Sequence, residues 1–175
     1  MFFCAVARAR VLCYNWSKSD ERSDVMTAEE LMRRYSMSTH LENGVFCEKH
    51  YPASGTERPA SGSIYYYVAP GERTAFHQID CDEYWIYNLG APLELWAAEP
   101  EGKLVVRRLG AEDGCEPMIY LPKGTAFASR LPENAPDGTF LTCITVPRFS
   151  YDGFTLIGQE QMIARYPEAE RFYQI

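Results

Sequence analysis

A chain of 175 residues, 46% of them hydrophobic, is long enough for one domain with a substantial core. Its formal net charge of −7 argues against a nucleic-acid or anionic-lipid partner. No apolar run approaches the ~20 residues that a membrane helix needs. Twelve tyrosines, nine phenylalanines and three tryptophans, with 12 glycines and 11 prolines, favour strands and turns over helices.

Residues 1–25 differ from the rest. Met1 to Val6 is apolar, but Arg8 and Arg10 interrupt it before it reaches the length of a secretory core. Lys18 to Asp24 is a mixed charged run, of the kind that stays solvated. This segment reads as a disordered tail or an over-extended start before Met26, and residues 26–175 read as a single domain.

Thr27-Ala-Glu-Glu30 has the pattern of a capping box, and Leu31, Met32 and Tyr35 recur at helical spacing. Together they predict a helix over Ala28 to Tyr35. Leu41-Glu-Asn-Gly44 reads as a turn, Gly44 to Tyr51 as a strand, and Pro52 to Pro59 as an exposed loop. Short strands with turn signals then follow: Ser63–Val68, Ala75–Ile79, Glu83–Asn88, Leu93–Ala98, Leu104–Leu109, Met118–Leu121, Ala126–Arg130, Phe140–Val146 and Phe154–Ile157. This spacing suits a β-sandwich or barrel, and the lack of helices between strands argues against parallel βαβ units. Gln159 to Tyr166 reads as a helix that Pro167 stops.

The six cysteines form no C-x-x-C pair. Their scatter is that of a reduced, cytoplasmic protein.

The stretch from Gly71 to Gly90 concentrates the chemistry. Side chains alternate along a strand, so Ala75, His77 and Ile79 share one face and Glu83, Trp85 and Tyr87 share another. A corner between the two strands can bring imidazole and carboxylate together. Glu83 is then the partner that fixes the His77 tautomer, and Tyr87 or Tyr67 is a candidate acid. Tyr65, Tyr67, Trp85, Trp96 and Phe127 are candidates for an aromatic lining, with Cys143 facing the same interior. Two plainer accounts stand beside this one. His77 and Glu83 can be a satisfied buried pair, and the aromatics can simply fill a barrel.

The spacing Gly71, His77, Glu83, Gly90 resembles the first motif of the cupin superfamily: Gly, five residues, His-x-His, three or four residues, Glu, six residues, Gly. Ile79 stands where the second His would be. Pro122-Lys-Gly124-Thr-Ala-Phe127 resembles the second motif, with Phe127 in place of its His. His40 to Gly44, Ile64 to Tyr67 and Cys143 to Phe154 extend the likeness to an uncharacterised cupin subfamily over about residues 28–157. In that likeness Glu42, Asn43, Gly44 and Glu48 belong to an opening segment, read here as a turn before an edge strand. The resemblance implies an all-β jelly-roll barrel with a short N-terminal and a C-terminal helix, often dimeric, as in the metal-free deoxysugar epimerases.

A cupin metal site normally uses three histidines and one carboxylate. Here only His77 and Glu83 remain, so no metal cofactor is expected, and a divalent ion would have just those two ligands. The expected function is binding of a small polar metabolite in the barrel by a homodimer. One alternative is a metal-independent isomerase or epimerase with His77 as base. Another is a metal-dependent enzyme with a reduced ligand set. Arg58 or Arg148 would receive an anionic substrate group.

Overall fold

The computed structural model describes residues 28–50, 58–99 and 101–174. The expected tail over residues 1–25, the capping residue Thr27 and most of the loop after Tyr51 lie outside the described residues. The described residues open with α1 (Ala28–Tyr35), then β1 (Ser38–Thr39), β2 (Val45–His50), β3 (Gly62–Val68), β4 (His77–Ile79) and β5 (Asp82–Gly90). The chain continues through β6 (Leu93–Ala98), β7 (Leu104–Leu109), β8 (Met118–Leu121), β9 (Phe127–Arg130), β10 (Thr139–Val146) and β11 (Phe154–Leu156). Two short helices close it, α2 (Gln159–Arg165) and α3 (Glu170–Tyr173).

The strands form two antiparallel sheets. The first runs β1-β2-β3-β10-β5-β8 and the second β11-β4-β9-β6-β7. This is the all-β jelly roll, with apolar side chains of both inner faces meeting between the sheets. Tyr66, Trp85, Leu93, Leu95, Ile119, Phe127 and Leu141 are fully buried there. Each contributes roughly 1.5–3 kcal/mol by leaving water.

Both outer faces are covered by helix. Leu31 of α1 packs with Tyr67 and Phe140 on the outside of the first sheet. Met162, Tyr166, Ala169 and Phe172 pack on Phe76, Trp96 and Ala128 outside the second. Pro167 follows the end of α2 at Arg165, as the sequence predicts. It opens a 3-10 turn, Pro167–Ala169, that leads into α3. A proline fits a first helical turn because its missing N–H has no intrahelical partner there.

Gly90 matters for closure. Its φ is +103°, and a Cβ there would lie 1.9 Å from the carbonyl oxygen of Gly138. Only glycine lets the end of β5 approach the start of β10 so closely.

Candidate functional site

The interior is open at one end. A cavity of about 510 Å³ lies between the sheets, walled by Phe46, Tyr66, Trp85, Phe149 and Phe154. His40, Glu42, His77, Glu83 and Cys143 also line it. His77 begins β4 in the second sheet, and Glu83 lies on β5 in the first. The two therefore face each other across the cavity.

Glu42 is brought in by the turn between β1 and β2. Its carbonyl accepts from the Ala75 N–H at 2.9 Å. Asn43 adopts φ +82° and donates its side-chain amide to the Arg73 carbonyl at 3.0 Å. The Tyr66 hydroxyl donates to the Asn43 carbonyl at 2.5 Å. Gly44 follows at φ +72°, and a Cβ there would meet the Tyr66 hydroxyl oxygen at 2.6 Å. A turn pinned at both its backbone and its tip holds the Glu42 carboxylate in place while it is only 6% exposed.

Glu42 Oε2 lies 2.7 Å from His77 Nδ1, and Oε1 lies 3.7 Å from His40 Nδ1. His77 Nδ1 is also 2.9 Å from the Ala75 carbonyl. Both neighbours of His77 Nδ1 accept, so Nδ1 carries the proton and Nε2 is left for the cavity.

Burial pulls the His77 pKa down, but the Glu42 charge and hydrogen bond, with help from Ala75 and Glu83, raise it above the ordinary value. Burial pushes Glu42 up, yet His77 brings it below the usual carboxylate range. Burial lowers His40, and the Glu42 charge only partly opposes this. Glu83 is pushed up to about 7, chiefly by burial, with Glu42 adding and His77, Trp85 and Cys143 opposing. Burial also drives Tyr66 and Cys143 well above their ordinary values. At neutral pH, Glu42 is an anion that favours the charged form of His77, His40 is neutral, and Glu83 is poised between states.

Among the residues expected from sequence, His77, Glu83, Trp85 and Cys143 share the cavity wall. Several others lie elsewhere. His77 takes Glu42 as its direct partner, not Glu83, because β4 and β5 belong to opposite sheets. Tyr87 does not reach the cavity: its hydroxyl donates to the Gly90 carbonyl at 2.7 Å, at the far end of β5. Tyr65 and Tyr67 lie on the outer face, under α1, and the inward tyrosine of β3 is Tyr66. Phe127 sits behind the wall, its ring 4.2 Å from that of His77. Trp96 is under the C-terminal helices. Arg58 is held bidentately by Asp80 at 2.8 Å, and Arg148, on the wall, donates to Glu48 at 2.8 Å.

A family model described as "Cupin superfamily (DUF985)" matches residues 29–157. The chain belongs to the cupin superfamily. This cupin is similar to a protein of known structure from Shewanella oneidensis, with 28% identity and a TM-score of 0.77, covering 85% of this chain and 96% of that one. It is also similar to a hypothetical protein from Leishmania major, with 26% identity and a TM-score of 0.74, covering 83% and 95%. A cupin 2 domain-containing protein from Halorhodospira halophila shares the fold at 14% identity, with a TM-score of 0.56 and coverage of 79% and 86%. No functionally curated protein matches the chain.

The donor set of this cupin does not suit a metal ion. Ile79 and Phe127 offer no lone pair at two of the family's ligand positions. Among the described residues, no three His, Cys, Asp or Glu side chains are grouped to hold an ion. Nδ1 of His77 is already committed to Glu42 and Ala75.

His40, Glu42 and Tyr66 are site residues that strand periodicity does not reveal. The available signal was local: an imidazole two residues before a carboxylate, followed by Asn-Gly at a turn that permits positive φ.

Proposed function

We propose that this cupin binds a small polar metabolite in the cavity, with the Glu42–His77 pair and Glu83 as its polar anchors. The observation that supports this is the convergence of those groups on one aromatic-walled cavity of about 510 Å³. Buried ionisable groups are costly, and clusters with displaced pKa values concentrate at functional sites. An apolar concavity with a few convergent polar groups is the usual form of a small-ligand site.

The test is to release small molecules from natively purified protein by denaturation and identify them by mass spectrometry. One species at near-equimolar yield is expected from the wild type, and much less from the doubly substituted His77→Asn, Glu83→Gln protein. Equal recovery from both, or no species from either, overturns the reading.

One observation favours a second reading, a metal-independent isomerase or epimerase. His77 and Glu83 stand across the cavity, and both are raised: Glu83 to about 7, chiefly by burial, and His77 above its ordinary value by the Glu42 charge and hydrogen bond. Paired groups so displaced divide the roles of acid and base. Because the Glu42 carboxylate favours the protonated form of His77, Glu83 is the proton acceptor in this reading and Nε2 of His77 is the donor, which reverses the role expected for His77. Solvent deuterium entering the recovered molecule in the presence of wild-type protein, and not of Glu83→Gln, supports it.

A further inference from the structure

On the reading that the cavity is a ligand site, the pairing of its charged side chains narrows the ligand's chemistry. Three carboxyls line it: Glu42, Glu48 and Glu83. Glu42 lies 2.7 Å from His77 Nδ1 and 3.7 Å from His40 Nδ1. Glu48 accepts from Arg148 at 2.8 Å. Among the described residues, Glu83 forms no ion pair. Its support comes from the Trp85 indole and the Cys143 thiol, and neither brings a counter-charge. Yet Glu83 is only 7% exposed and stands on the cavity wall. A carboxyl taken out of water is costly unless a cation meets it. The space from which such a cation can reach Glu83 is the cavity itself.

We propose that the ligand carries an organic ammonium group, a protonated primary or secondary amine, with Glu83 as its counter-ion. The ammonium N–H groups donate to the Glu83 carboxylate, in a charge-assisted hydrogen bond. The carbon groups on the nitrogen lie against Phe46, Phe149 and Phe154, which are half-buried on the same wall. Aromatic faces attract a cation as well as apolar surface, so this lining suits both parts of an amine.

The other two charge classes fit the same wall less well. An anionic guest would have to take Arg148 from Glu48 or lie beside a carboxyl of its own sign. A neutral guest would leave Glu83 buried without a counter-charge. His77, on the opposite sheet, makes its ion pair with Glu42.

Benzylamine, benzyl alcohol and benzoate share one carbon skeleton and differ in charge. Each is titrated into the full chain at pH 8, above the value of about 7 to which burial raises Glu83, by calorimetry and saturation-transfer NMR. Benzylamine is expected to bind at least tenfold more tightly than either of the others. Glu83→Gln keeps the shape and removes the charge, so the preference for benzylamine over benzyl alcohol should fall below twofold. If that variant does not fold, the ranking of the three probes on the wild type still decides. Equal or tighter binding of benzyl alcohol or benzoate overturns the class and leaves the cavity's binding role standing. Silence from all three probes, or a preference that survives Glu83→Gln, also overturns it. The underlying reading fails separately, when no small molecule is recovered from native protein.

Discussion

Replacing Glu83 with Gln removes a carboxyl whose pKa the fold holds at about 7, against 4.5 for the unburied group. The folded protein therefore keeps a proton between those values that the unfolded chain has lost. The stability this group contributes is complete below pH 4.5 and is lost as pH rises through about 7. That separation corresponds to about 3 kcal/mol. For a domain of this size, that is roughly 6–12 °C in Tm. Gln has the same shape and no charge, so the loss disappears in the variant. Because Glu83 also supports the charged form of His77, its removal returns part of the gain. The lower half of the range is expected. Thermal melts of both proteins by circular dichroism at pH 5 and pH 8.5 are the assay. The variant's Tm advantage should be at least ~5 °C larger at the higher pH, by the same scaling. Parallel pH profiles would refute the assignment of Glu83 as a buried, near-neutral carboxyl.

Other substitutions probe the parts that hold the site. His77→Asn leaves the Glu42 carboxylate buried beside a neutral amide; by the cost of orphaning a buried charge, stability in urea should fall about 3–5 kcal/mol. Adding Glu42→Gln to His77→Asn should recover part of that loss, whereas simple additivity would show that the two residues are not coupled. Tyr66→Phe removes the hydroxyl that donates to the Asn43 carbonyl at 2.5 Å, and about 1 kcal/mol of urea stability should go with it. Gly153→Ala places a Cβ 2.1 Å from Cγ of Asp80, so it should break the Arg58–Asp80 pair and lower Tm; an unchanged Tm would contradict the packing described there.

Much of the fold was legible because its signals are local. Strand runs such as Leu93–Ala98 and Leu104–Leu109 are bounded by Gly and Pro, and their ends fall where the turn residues predict. The site was legible only in part. Alternation places Glu83 and Trp85 on one face, and that face does point inward. It cannot decide which of three consecutive tyrosines does so: Tyr66 faces in, while Tyr65 and Tyr67 face α1. Tyr87 has the parity of Glu83 but lies at the far end of the strand, where register shifts against β10. Periodicity gives a face and not a depth. Glu42 was hidden for another reason. Its place comes from a turn pinned to Ala75, Arg73 and Tyr66, all distant in sequence. No spacing rule within residues 40–44 encodes those contacts.

A crystal structure of the natively purified protein is the most direct measurement of the central claim. The account predicts non-protein density in the cavity, within hydrogen-bond reach of His77 Nε2 and the Glu83 carboxyl, with Glu42 on the opposite nitrogen of that imidazole. A cavity filled by the protein's own side chains, or a His77 ring turned away from Glu42, would contradict it.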